Sequence, residues 1–90
     1  MTIEVKVPTI LRTYTGGDKA VAGAGGTLAE VLDDLDARHP GIKGRVMDDG
    51  DLRRFVNVYV NDEDVRFTGG LSTTLSDGDT VVILPAVAGG

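Results

Sequence analysis

One stretch limits the possible folds more than any other. Thr27-Leu28-Ala29-Glu30 has capping-box spacing, in which the Thr27 hydroxyl accepts from a backbone N–H of the first turn and Glu30 reaches back to the cap. Leu28, Val31, Leu32 and Leu35 then follow at i, i+3, i+4 and i+7, a single apolar stripe. Asp33, Asp34 and Asp36 fall off the stripe and are expected to face water. His39-Pro40-Gly41 closes the element, because Pro40 disfavours helical geometry at His39 and Gly41 permits a left-handed turn. The spacing predicts one amphipathic helix over 27–39, and the remaining periodic segments read as strands.

Ile3, Val5 and Val7 alternate with Glu4 and Lys6, the period-two pattern of a strand buried on one face, and Pro8 ends it or leads it into a loop. Thr15-Gly16-Gly17-Asp18 is a turn cluster, and the weaker 19–22 segment is expected to pair back as a hairpin. Residues 42–54 carry no clear period, with Asp48-Asp49-Gly50-Asp51 reading as an exposed turn. The 55–60 segment is the strongest strand, with Val56, Val58 and Val60 on one face and Phe55, Asn57 and Tyr59 on the other. Asn61-Asp62-Glu63-Asp64 turns the chain, 65–67 is expected to be a short strand, and 71–75 a short helical turn. Asp77-Gly78-Asp79 precedes a β-branched run from Thr80 to Leu84 that ends at Pro85. A single helix covers one face of such a sheet. The order therefore predicts an α+β domain: a β-grasp, ubiquitin-like arrangement over 1–85, with a mixed sheet of four or five strands packed on one main helix. Residues 86–90 are expected to form an extended, flexible C-terminal tail.

Ninety residues allow one modest core. No apolar run approaches the length of a membrane span, and the first residues lack the basic and apolar blocks of a signal peptide. With 14 acidic against 9 basic side chains the net charge is −5, so phosphate backbones repel the chain and nucleic acid is not an expected partner. The absence of cysteine removes disulfides, thiolate metal sites and a thiol nucleophile, and the balance favours a cytoplasmic protein without membrane partners.

Side-chain catalysis finds little support. His39, the one histidine, stands beside Pro40 at a helix end, where a terminus role fits better than a general base. Asp48, Asp49 and Asp51 lack the calcium-loop spacing, and no metal site is expected. Gly16-Gly17 and the glycines at 23, 25 and 26 lack the Gly-Lys-Ser/Thr ending of a phosphate loop.

The end of the chain is different. Glycine pairs stand at 16–17, 25–26, 69–70 and 89–90, so a pair alone carries little weight. The last one, however, directly follows the final strand on a tail of small, uncharged side chains. Extended, residues 86–90 reach about 17 Å, enough to enter a neighbouring enzyme's site. Glycine lets the backbone pass a narrow channel. Joined to AMP, the Gly90 carboxylate gains a good leaving group on a sterically open carbonyl. Attack by sulfur then gives a thiocarboxylate, and attack by an amine gives an amide.

The run from Leu75 to Gly90 resembles the C-terminal signature of the ubiquitin-like sulfur carriers, the ThiS/MoaD family. Val7-Pro8-Thr9-Ile10-Leu11-Arg12 and the stretch from Phe55 to Phe67 resemble its cysteine-synthesis branch in particular, so the similarity spans nearly the whole chain. Ala86 stands after Pro85 where molybdopterin-type members carry a second proline, which weakens that assignment. The resemblance implies a protein cosubstrate rather than an enzyme. It binds no cofactor itself, and its Gly90 carboxylate is adenylated with ATP by an E1-like adenylyltransferase and converted, there or on a sulfurtransferase, to a thiocarboxylate. The acceptor it implies is a pyridoxal-phosphate (PLP) cysteine synthase, or a thiazole-type or other sulfur-incorporating synthase, with a zinc peptidase releasing cysteine in the first case. Gly89, Ala88 and Val87 correspond to the threaded tail. By strand alternation Tyr59, Val82 and Leu84 share the open face of the sheet and form the expected partner-binding patch, which Arg53, Arg54 and Arg66 could supplement. A ubiquitin-like modifier joined through Gly90 to lysines uses the same activation step and is the alternative.

Overall fold

The computed structural model describes residues 2–48, 50–53 and 56–85. The chain opens with strand β1 (Ile3–Lys6), whose Ile3 and Val5 are fully buried while Glu4 and Lys6 are exposed. Pro8 leads into a 3-10 turn, Thr9–Thr15, that buries Leu11 and Thr15 and ends at Gly16 in the left-handed region (φ 67°). Strand β2 (Ala20–Gly23) returns antiparallel to β1, with Ile3 opposite Gly23 and Lys6 opposite Ala20. The hairpin is as expected, but its connection is a folded turn rather than a plain loop. At Gly23 the sheet and helix approach so closely that a Cβ would lie 3.2 Å from Val31 Cγ1.

Helix α1 (Leu28–Arg38) buries Leu28, Val31, Leu32 and Leu35. The Thr27 hydroxyl accepts from the Glu30 N–H at 3.3 Å, and Glu30 Oε1 accepts from the Gly26 N–H at 2.7 Å. That second bond lies one residue before the cap, where a capping box would use the cap's own N–H. The helix aspartates are also less idle than a solvated face would be. Asp34 accepts from the Ala24 N–H (3.0 Å) and pairs with Arg38. Asp36 accepts from the N–H groups of Gly41 and Lys43 (3.0 and 3.2 Å), and Asp33 pairs with Lys43.

The stretch without a clear period contains helix α2 (Ile42–Val46) and a hairpin of two-residue strands, β3 (Met47–Asp48) and β4 (Asp51–Leu52). One helical turn followed by two short strands is too little of either for a period to show. Strand β5 (Val56–Val60) follows, with the expected Phe55 outside the described residues. Its Val58 and Val60 point into the core. Asn61 and Asp62, both at positive φ (49° and 72°), make the tight turn to β6 (Glu63–Asp64). The expected strand at 65–67 is a 3-10 turn instead. Asp64 accepts from the Arg66 N–H at 2.9 Å, a cap that bends the chain away from the sheet and tucks Val65 into the core. A third 3-10 turn, Gly70–Ser72, supplies the helical turn expected near 71–75 and ends before Thr73.

Strand β7 (Thr80–Pro85) is central: parallel to β1, antiparallel to β5. The mixed five-stranded sheet has the order β2-β1-β7-β5-β6, with the helices against its inner face. Buried side chains from β1, β5, β7, α1, α2 and the 3-10 turns form one core. This is the β-grasp arrangement that the element order implies, and its central strand leads straight to the C-terminal tail.

Candidate functional site

Alternation along β7 sorts its side chains. Val81 and Ile83 are buried beneath the sheet, while Val82 is half-buried on the outer face and Leu84 is 44% exposed there. Pairing with β5 sets Tyr59 opposite Val82 and Asn57 opposite Leu84. The expected patch is therefore real as geometry: Tyr59, Val82 and Leu84, together with Asp62, line one shallow hollow on the outer face. Arg66 does not line the hollow; it donates to the Val56 carbonyl at 2.8 Å and to Oδ1 of Asn57, the residue opposite Leu84. Arg53 does not join the patch. It donates twice to the Gly44 carbonyl (3.1 and 2.9 Å), and Arg54 lies outside the described residues. Val87, Ala88, Gly89 and Gly90 also lie outside the described residues.

The base of β7 is clamped. Asp79 Oδ2 accepts from the Ser76 N–H at 2.8 Å, and Oδ1 accepts from Asn61 Nδ2 at 3.0 Å. Asn61 Oδ1 accepts from the Thr80 N–H (3.1 Å), and the Asn61 N–H donates to the Thr80 carbonyl (2.9 Å). Asp77 accepts from the Thr2 N–H at 2.7 Å. These bonds join the β5–β6 turn to the start of β7 and hold the strand that carries the tail in register. Sequence reasoning read Asp77-Gly78-Asp79 as a turn only, because the partner, Asn61, is 18 residues away.

The Ser76 N–H, and after it the Asn61 amide, hold the Asp79 carboxyl below the usual carboxylate range. A depressed folded-state pKa means that the clamp stabilises the fold fully above the unfolded value near 4 and loses that contribution as pH falls through the folded value. Asp79→Asn is expected to lower the thermal midpoint at neutral pH, with the gap from the wild type closing as pH falls below the unfolded value near 4 and through the lower folded value. Thermal melts of both proteins across that range check this.

The His39 N–H donates to the Leu35 carbonyl at 2.7 Å and closes α1. Among the described residues no three His, Cys, Asp or Glu side chains cluster as metal ligands, and no helix is long and apolar enough to cross a membrane.

The model of the ThiS family matches residues 5–90. The sulfur carrier protein CysO of Mycobacterium tuberculosis is 59% identical, with the whole of both chains covered. The crystal structure of an Amycolatopsis orientalis BexX/CysO complex contains a chain that superposes with a TM-score of 0.94 at 59% identity, covering 98% of this chain and 99% of that one. The small archaeal modifier protein 3 of Haloferax volcanii is 42% identical over 71% of this chain and 70% of its own.

Proposed function

The chain belongs to the ThiS family, and on that footing we propose that it is a sulfur carrier, a protein cosubstrate whose reacting group is the Gly90 carboxylate. The observation that carries this reading is full-length identity of 59% to a sulfur carrier.

The chemistry follows from the acid group. A carboxylate repels nucleophiles and has no good leaving group. Attack of a Gly90 carboxylate oxygen on the α-phosphorus of ATP, on an E1-like adenylyltransferase, expels pyrophosphate and leaves an acyl adenylate. Sulfide sulfur, or a sulfurtransferase persulfide followed by reductive release, displaces AMP and leaves a thiocarboxylate. Glycine at 89 and 90 keeps side chains out of the path of both attacks. The folded domain's part is to present the tail and to be recognised. The Tyr59, Val82 and Leu84 hollow on the strand that carries the tail is the surface through which the activating or acceptor enzyme would hold it. A complex of a CysO with a second protein, BexX, fits a carrier that works by docking. The nearness to CysO favours a PLP-dependent cysteine synthase as the acceptor. In that route a zinc peptidase frees the cysteine, and both cofactors reside in the partners.

Incubation with the activating enzyme, ATP and sulfide is expected to raise the intact mass by the difference between sulfur and oxygen, read by mass spectrometry of the whole protein. An unchanged mass with an enzyme that loads its own carrier would count against the reading. The similarity to a small archaeal modifier favours a second outcome, amide bonds from Gly90 to lysines of other proteins. Covalent ladders on denaturing gels of cell extract, lost when Gly90 is deleted, would support it.

A further inference from the structure

A second groove lies on the other side of Val82, between β7 and the β1–β2 connection. Its floor is apolar, made by Pro8, Ala20, Val82 and Leu84 among others, and three basic residues, Lys6, Arg12 and Lys19, line it. A third of the chain's 9 basic side chains thus gather at one groove of a protein whose net charge is −5. Among the described residues no acidic side chain lines the groove; Asp62 lines the adjoining hollow toward β5, which Lys6 and Val82 share. Among the described residues Lys6 and Lys19 have no ion-pair partner. Arg12 donates through Nε to the Val7 carbonyl (3.1 Å), which uses one of its five N–H groups.

The backbone adds an acceptor. The Glu4 N–H donates to the Asp79 carbonyl at 3.1 Å, and Lys6 is the last β1 residue in register with β7, opposite Val82. In a parallel ladder this parity directs the backbone groups of Val81 and Ile83 toward β1. The donor due opposite the Ile83 carbonyl is the backbone nitrogen of residue 8. That residue is proline and has no N–H. The ladder stops there while β7 continues to Pro85, which leaves a carbonyl facing the groove.

We propose that this groove docks an acidic, extended segment of a partner protein. Its carboxylates pair with Lys6, Arg12 and Lys19, one of its N–H groups donates to the Ile83 carbonyl, and an apolar side chain rests on Pro8, Val82 and Leu84. Acidic protein is favoured as the occupant because it meets all three features. Phosphate polymers would match only the cations, against a net charge that repels them. The partner's identity as the activating enzyme rests on the function proposed above. The docking chemistry does not.

The test is a titration of the ¹⁵N-labelled full chain with an acetylated, amidated hexapeptide alternating glutamate and valine. Glutamine–valine and lysine–valine hexapeptides serve as controls. Amide shifts are expected at residues 6, 19, 20 and 82–84 for the glutamate peptide, weaker for glutamine and weakened further by salt. Reversing both exposed lysines, Lys6→Glu with Lys19→Glu, is expected to weaken the glutamate peptide about tenfold and to create a response to the lysine peptide. That gain is a result misfolding could not give. Silence of the groove amides at millimolar glutamate peptide, an equal wild-type response to the lysine peptide, or an unaltered double variant would each overturn the proposal. No ATP or activating enzyme is involved, so failure here and failure of thiocarboxylate formation are separate results.

Discussion

A chain carrying one extra residue beyond Gly90 is expected to lose thiocarboxylate formation by about a hundredfold or more, while its melting temperature stays where it was. The added residue converts the acid group into a peptide amide, so there is no carboxylate at Gly90 to attack ATP. The new terminal carboxylate is displaced by one residue's length, about 3.5 Å, from where the old one would sit. Misplacement of a reacting atom by even about 1 Å costs on the order of a hundredfold, and any side chain on the added residue also crowds the approach of sulfur. The fold is expected to be untouched because, among the described residues, the core ends at Ile83. ATP–pyrophosphate exchange and intact-mass measurement, beside a thermal melt, separate the two effects. Loss of activity together with loss of folding would point instead to a structural role for the tail.

The opposite dissociation is expected at Leu35. Its side chain is fully buried on α1, and Leu35 Cδ2 and Val5 Cγ2 (both 3.6 Å) lie within contact distance of the point where a Cβ at Gly23 would sit, with Val31 Cγ1 closer (3.2 Å). Helix, β1 and β2 therefore meet at this point with little room to collapse into a hole. Leu35→Ala should cost about 3 kcal/mol, within the range of about 2–5 kcal/mol for buried leucines. Against the total stability of a small domain, about 5–15 kcal/mol, that is a large fraction, and it should lower the melting temperature by about 10–20 °C. The control is Leu84→Ala on the outer face, 44% exposed, which should change stability by less than about 1 kcal/mol. Urea titrations of the two variants compare them directly. Equal destabilisation would contradict the assignment of Leu35 to the core and Leu84 to the open face.

The architecture was legible wherever a period ran long enough to show. The Leu28–Leu35 stripe, the Ile3–Val7 alternation and the Thr80–Leu84 run each reported one buried face, and those faces meet in the core. Alternation also placed Tyr59, Val82 and Leu84 together, because the face of a strand residue follows from counting by twos. Legibility failed where one or two hydrogen bonds decide the backbone. The 65–67 segment has strand composition, and the Asp64 side chain turns it into a 3-10 turn. Residues 42–52 hold three elements too short to signal themselves. The Asn61–Asp79 clamp and the meeting of Lys6, Arg12 and Lys19 depend on sheet register, which brings together residues that no local pattern relates. The proposed reacting end rests on chemistry and not on a described part of the structure: with no cysteine and one histidine, a terminal carboxylate on a small-residue arm is the group we propose a partner energises.

That claim meets its most direct test in the C-terminal tryptic fragment. Cleavage after Arg66 releases residues 67–90, which contain no Lys or Arg. After reaction with the activating enzyme, ATP and isotopically labelled sulfide, tandem mass spectrometry should find one labelled sulfur in place of one oxygen on the terminal glycine of that fragment. Label on any other residue, or a fragment of unaltered mass from an acceptor-free reaction that consumed ATP, would contradict the account.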